Sequence, residues 1–187
     1  QVDMADGLFE VLLVRAPKDL VELIRFAAKC GVDALLLVSP YYNKATQNGL
    51  IKMYSAIADA SEKPLILYNV PSRTGVNIEP TTYKVLADHD NIVGIKEANG
   101  NLSKIVETMS YVHDKLDLYS GNDDQIVPVL SLGGKGVISV LSNLLPKETS
   151  QMCYRFMAGD VVGSMEMQKK YLPLTNALFC EVNPIPV

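Results

Sequence analysis

Short apolar runs alternate with amphipathic stretches along most of this chain. Residues 33–38, 65–68, 92–95 and 136–140 are nearly continuous apolar runs of strand length, and residues 116–120 form a weaker one. A run without an alternating polar position suits a strand buried on both faces, as in a parallel sheet covered by helices. Between these runs the period lengthens. Leu50, Ile51, Tyr54, Ile57 and Ala58 share one face of a helix predicted over residues 47–58. Pro80 marks the first turn of a helix running to about His89, and Leu102–Val112 reads as another. Ile126, Val127, Val129 and Leu130 belong to a helix that tolerates Pro128 only in its first turn. A helix opens near Pro146, and a last one runs from after Asp160 toward Phe179 with a kink expected at Pro173.

Strand-helix units in succession, with no hairpin signal between them, predict an α/β fold with a parallel sheet. Right-handed crossovers leave an open doubly wound sheet or part of an eight-stranded barrel. Periodicity alone does not separate the two. The chemistry-bearing residues do: Tyr42, Tyr68, Arg73, Lys96 and Gly121 all fall at or just past strand carboxyl ends. An open sheet gathers its ligand at one switch point, whereas a barrel recruits residues from many successive strands. The expected fold is therefore a partial (β/α)8 TIM barrel.

Lys96 carries the strongest chemical signal. It ends an apolar strand and is followed at once by Glu97. Poor solvation there disfavours the ammonium form, and an amine with a lowered pKa can attack a ketone to form a Schiff base. Tyr68 and Arg73 leave a neighbouring strand, and Pro71 and Gly75 frame Arg73 in a rigid turn suited to aiming a bidentate carboxylate binder. Phenol, guanidinium and amine together suggest carbonyl chemistry on an anionic substrate. No metal or organic cofactor is expected, because lysine supplies the covalent handle.

Composition narrows the partners. A formal net charge of −4 over 187 residues argues against a general nucleic-acid binder, and no apolar run approaches a membrane span. No secretory leader pattern is visible, so the cytoplasm is expected. Cys30, Cys153 and Cys180 are too widely spaced for a zinc site and odd in number for a disulfide framework, which predicts reduced core cysteines. His89 and His113 fall near helix C-termini, where partial positive charge suits the dipole. Asp123 and Asp124 are expected to open a helix, and Gly133-Gly134 to form a helix-to-strand turn rather than a phosphate cradle.

From about Leu23 to Val187 the sequence resembles the dihydrodipicolinate synthase / N-acetylneuraminate lyase family. The matching segments are residues 39–43 (SPYYN), 68–75 (YNVPSRTG), 94–98 (GIKEA), 120–124 (SGNDD), 133–140 (GGKGVISV) and 183–187 (NPIPV). The resemblance implies a lyase that condenses pyruvate with L-aspartate 4-semialdehyde on the route to diaminopimelate and lysine. It implies Lys96 as the Schiff-base lysine, Tyr68 as a proton relay and Arg73 as binder of the semialdehyde carboxylate. Tyr42 would reach across a dimer interface to complete a neighbour's relay, and Gly121 and Ile138 would line the pyruvate pocket through their backbones. Tyr41 aligns near an allosteric lysine site, and a homotetramer is the implied assembly. Arg73 favours the synthase branch over the sialic-acid lyases. On this reading the chain covers roughly strands 4 to 8 of the barrel, without the first three units, the relay threonine they carry and the C-terminal helices. Residues 1–22 form a non-matching strand/helix segment, in which residues 6–15 faintly resemble bacterial diacylglycerol-kinase-like lipid kinases. Two alternatives stand beside an active lyase. One is a catalytically impaired fragment or fusion product. The other is a small carboxylate-binding α/β domain in which Lys96 supplies only charge.

Overall fold

In a computed structural model, residues 10–11 and 17–187 are described, with side chains from Glu22 onward. The lipid-kinase-like stretch of residues 6–15 lies outside them except for Glu10 and Val11. Six parallel strands pair in chain order: β1 (Glu10–Val11), β2 (Leu35–Val38), β3 (Leu65–Asn69), β4 (Ile92–Glu97), β5 (Asp117–Ser120) and β6 (Gly136–Val137). The helices between them are α1 (Pro17–Lys29), α2 (Gln47–Ala60), α3 (Pro71–Thr74), α4 (Pro80–Leu86), α5 (Leu102–Val112) and α6 (Ile126–Ser131). Helices α7 (Pro146–Met157) and α8 (Val161–Leu178) close the chain.

Caps set several helix starts. Thr46, Asn101 and Asp160 accept hydrogen bonds from the backbone N–H groups of Gly49, Lys104 and Gly163 and so satisfy donors that have no partner inside the helix. The helix predicted to reach His89 ends at Leu86, because the chain turns through Ala87–His89 to deliver Asn91. The Asn91 amide then donates to the carbonyls of Ala58 and Ser61 and fixes the end of α2 against the start of β4. Pro128 falls in the first turn of α6, as its missing N–H requires. The last apolar run pairs only at Gly136–Val137. Beyond it Ile138 N–H donates to the Ser120 carbonyl, and the chain then leaves the sheet.

Two apolar layers follow from the pleat. Leu35, Leu37, Leu65, Leu67, Ile95 and Leu118 point toward the helices and merge with Leu50, Tyr54, Ile57, Tyr83, Ile105 and Met109 into one large core. Alternate residues face the other way: Ala34, Leu36, Ile66 and Tyr119 form a second cluster, against which Tyr68, Val93 and Ile138 pack. A register shift inserts Val93 between the pairs Leu65↔Ile92 and Ile66↔Gly94. The bulge places Val93 on the inner face and lets the rest of β4 resume its alternation.

The cysteines depart from expectation. Cys30 and Cys180 are exposed and only Cys153 is partly buried, where burial pushes its thiol up to about 11. Cys30 directly follows α1 and Cys180 lies two residues past the end of α8, where each helix terminates at the surface.

Candidate active site

Register alone puts the candidate chemistry in one row. Val38 pairs with Tyr68, Tyr68 with Lys96, and Lys96 with Tyr119, all near strand carboxyl ends on the inner face. The Lys96 Nζ lies 4.2 Å from the centroid of the Tyr68 ring. One residue-pair below, a Cβ on Gly94 would sit 3.5 Å from Tyr119 and 3.6 Å from Ile66, so the lysine stem rests over a closely packed floor.

Burial pulls the Lys96 amine down to about 8, Asp123 partly opposes this, and the Arg73 guanidinium adds to it. The same burial raises the Tyr68 phenol, with Arg73 lowering it in part. Arg73 itself is exposed at the mouth of the site. It is carried by the single-turn helix α3, which Pro71 opens and Gly75 closes in the left-handed conformation, φ 67°.

The next row, on the opposite face, is polar and buried: Asn69 pairs with Glu97, and Glu97 with Ser120. The Asn69 Nδ2 donates to Glu97 Oε1 at 2.9 Å and Oε2 at 3.1 Å, and also to Asn77 Oδ1 at 2.9 Å. Tyr83 donates its hydroxyl to Glu97 Oε2 at 3.3 Å and the Asn99 N–H donates to Oε1 at 2.9 Å. Glu97 is thus ringed by neutral donors, and burial still pushes its carboxyl up to about 7. Asn69 Oδ1 accepts from the Ile78 N–H, and Gln47 bonds to Asn77, Glu79 and Thr82. These bonds clamp both ends of the loop that bears Arg73.

Gly121 stands where β4 and β5 meet. Its N–H donates to the Glu97 carbonyl at 2.7 Å, and a Cβ there would fall 2.8 Å from the Cβ of Ala98. Ile138 flanks the same inner cluster. Asp123 and Asp124 open a helical turn as expected, but the Asp123 side chain does not cap it. Asp123 sits in a 3-10 turn, Asp123–Gln125, and its side chain turns inward to the backbone of Val140 and Leu141. Gly133, with φ 90°, forms the helix-to-strand turn through bonds to Leu130 and from Gly134 to Val129.

Lys96, Tyr68, Arg73, Gly121 and Ile138 therefore gather at one mouth. Tyr42 does not join them: it is 89% exposed, and its neighbour Tyr41 is 43% exposed. His89 bonds to Asp59 and His113 to the Met109 carbonyl, both at helix ends away from this row. Asn69, Glu97 and Asp123 escaped the sequence reading as site residues. The signal was there in Asn69 and Glu97, each a polar residue directly following the tyrosine or lysine that ends an apolar strand.

Among the described residues no cluster of His, Cys, Asp or Glu could hold a metal ion, and no helix is long and apolar enough to cross a membrane.

The sequence profile of the Dihydrodipicolinate synthetase family matches residues 14–187, reaching back into the N-terminal segment. The chain is 53% identical over 167 residues to the 4-hydroxy-tetrahydrodipicolinate synthase of Clostridium perfringens, covering 89% of this chain and 57% of the relative. It is 54% identical over 168 residues to that of Lachnoclostridium phytofermentans, with the same two coverages. Among solved structures, the dihydrodipicolinate synthase of Thermotoga maritima superposes with a TM-score of 0.88 at 42% identity, over 91% of this chain and 59% of that one. The chloride-inhibited enzyme of Acinetobacter baumannii complexed with pyruvate gives 0.88 at 44% identity, again over 91% and 59%. The chain thus spans a little over half the length of these relatives. With that profile running through nearly all of the sequence and both tyrosine-lysine strands in register, the chain belongs to the dihydrodipicolinate synthetase family.

Proposed function

We propose that the protein is a Schiff-base-forming lyase, of the class I aldolase type, that condenses pyruvate with L-aspartate 4-semialdehyde to 4-hydroxy-tetrahydrodipicolinate in lysine and diaminopimelate biosynthesis. The observation that carries this is Lys96: a half-buried side chain whose amine is brought down to about 8 and sits over a phenol ring, 4.2 Å from its centroid. A lysine of that pKa is uncharged in roughly a tenth of molecules at neutral pH, against well under a thousandth for an ordinary one.

Lys96 Nζ attacks the keto carbon of pyruvate. One amine proton and a second delivered through Tyr68 pass to the carbonyl oxygen, which leaves as water, and a protonated imine remains. Loss of a methyl proton moves an electron pair toward the nitrogen and gives the enamine. That carbon attacks the aldehyde of the second substrate, whose oxygen takes a proton; the substrate's amino group then adds to the imine carbon and expels Lys96 as the ring closes. Tyr68 relays the protons, completed by Tyr42 from a neighbouring subunit, whose exposure suits a residue that works across an interface. Arg73, exposed on its rigid turn, receives the semialdehyde carboxylate through a fork of two hydrogen bonds. The backbones at Gly121 and Ile138 line the pyruvate pocket.

In this reading the six strands correspond to the later part of a (β/α)8 barrel whose active site lies at the strand carboxyl ends. The working assembly is a cytoplasmic homo-oligomer, a tetramer as in the family. Tyr41 stands near an allosteric lysine site. Reduction with borohydride in the presence of pyruvate tests the chemistry. A pyruvyl adduct on Lys96, lost in Lys96→Ala, is expected; a cooperatively melting sample without adduct contradicts the reading.

A further inference from the structure

A buried carboxylate just past the end of β5 is not fully used by the fold. Asp123 is 2% exposed. Its Oδ2 accepts from the Val140 and Leu141 N–H groups, each at 2.9 Å, while its Oδ1 is buried with no hydrogen-bond partner among the described residues. An unpaired oxygen of a buried carboxylate is costly unless a positive group balances it. The fold does not leave this side chain loose. The Gln168 amide donates to the Asp123 carbonyl at 2.8 Å and accepts from the Val127 N–H at 3.1 Å, so α8 braces the turn from behind.

Topology identifies the balancing group. Asp123 lies three residues past the end of β5, whose Ser120 pairs with Glu97 and whose Tyr119 pairs with Lys96. The Gly121 N–H bond to the Glu97 carbonyl draws the start of this turn onto the end of β4. The groups around Lys96 are then the Tyr68 ring from β3, Arg73 from α3, Tyr119 opposite it on β5, and Asp123. Of the charged ones, Arg73 repels the amine and Asp123 attracts it. Glu97, the other buried carboxylate nearby, is taken up by Asn69 and Tyr83 on the opposite face of the strand.

We propose that Asp123 is the fixed counter-charge of Lys96, its capped Oδ2 anchoring the carboxylate and its free Oδ1 balancing the positive nitrogen. It is a positioning residue and takes no proton. If Lys96 forms an imine, as proposed above, the nitrogen stays positive from the loss of water until a methyl proton leaves. A negative charge already in place lowers the energy of that interval without reorganisation. Burial alone would take the amine lower still, so the carboxylate also raises the pH at which Lys96 loses its proton.

The test compares the chain with Asp123→Asn, in which the side-chain carbonyl still accepts from Val140 and Leu141 while the charge is gone. The rate of Lys96 acetylation by acetic anhydride, followed by peptide mass spectrometry across pH, reports the amine's ionisation. In Asp123→Asn the midpoint is expected to move down by about one pH unit, with a retained cooperative melt. An unmoved midpoint in the folded variant overturns the proposal. The carboxyl-carbon NMR resonance of Asp123 provides a reading on the unaltered chain. It should shift as Lys96 ionises and lose that inflection in Lys96→Met, whereas a flat response overturns the proposal even if Asp123→Asn fails to fold. Acetylation uses no keto acid. Failure of the imine chemistry would show as absence of a pyruvyl adduct in the unaltered chain, and failure of the counter-charge as an unmoved midpoint.

Discussion

Lys96 and Glu97 are adjacent in β4, point to opposite faces and are both buried enough to be drawn toward neutrality, the amine down to about 8 and the carboxyl up to about 7. Their surroundings differ in kind. Glu97 has partners at both oxygens, supplied by Asn69, Tyr83 and the backbone of Asn99. Lys96 has a phenol ring beneath it, a guanidinium nearby and one carboxylate anchored elsewhere. A buried polar group whose hydrogen bonds are satisfied stiffens the structure, and one left with spare capacity is available to a ligand. The same strand thus holds the fold with one side chain and presents chemistry with the next.

The sharpest break in this contrast comes from Lys96→Met. Every pyruvyl adduct should disappear while the cooperative melt survives, and mass spectrometry with a thermal scan reads both. Tyr68→Phe should slow trapping by about 10²–10⁴-fold through loss of the relay, with little change in stability, measured by the time course of adduct formation. Glu97→Ala should do the reverse. It strands the Asn69 amide, the Tyr83 hydroxyl and the Asn99 N–H, which costs about 3 kcal/mol or more of stability, measured by urea unfolding.

A gentler probe of Glu97 uses pH. Its folded pKa is raised from 4.5 to about 7, so its contribution is fully present below the unfolded value and is lost as pH rises through about 7. Lys96 has the opposite sign. Lowered from 10.5 to about 8, it contributes above the unfolded value and that contribution is lost as pH falls through about 8. Urea unfolding of Glu97→Gln and Lys96→Met across pH should remove the acidic and basic limbs separately. The smallest effect belongs to Gly121→Ala, where a Cβ pressed on Ala98 forces β4 and β5 apart at a cost of about 1–3 kcal/mol. The same displacement should slow trapping at Lys96.

Much of this architecture could be read before the structure. Apolar runs at residues 65–68 and 92–95 announced the buried parallel strands Leu65–Asn69 and Ile92–Glu97, and the amphipathic period of Leu102–Val112 matched its helix residue for residue. Lys96 and Tyr68 stood out because a strand exit is where an apolar run must stop. The partners of Glu97 did not. Asn69 lies 28 residues and Tyr83 14 residues away, and such bonds arise only once β3, β4 and α4 are in place. The side-chain partners of Asp123 were hidden for a related reason. An aspartate before an apolar helix usually caps it, but here the backbone donors of Val140 and Leu141, 17 and 18 residues on, compete successfully for the carboxylate. The apolar run at residues 136–140 promised a longer strand than Gly136–Val137, because its inner residues pack on the site rather than continue the ladder. The bulge at Val93 did have a local signature that went unread: Gly94 directly follows it, and a lone glycine inside a strand favours a bulge.

The central claim is that Lys96 is a half-buried amine able to react while uncharged. Peptide-mapped borohydride trapping with pyruvate across pH tests it most directly. The account predicts reduction at Lys96 in preference to the exposed lysines, rising to a plateau as pH passes through about 8. Label spread evenly over the surface lysines, or a Lys96 that gains reactivity only near the pKa of a free amine, would contradict it.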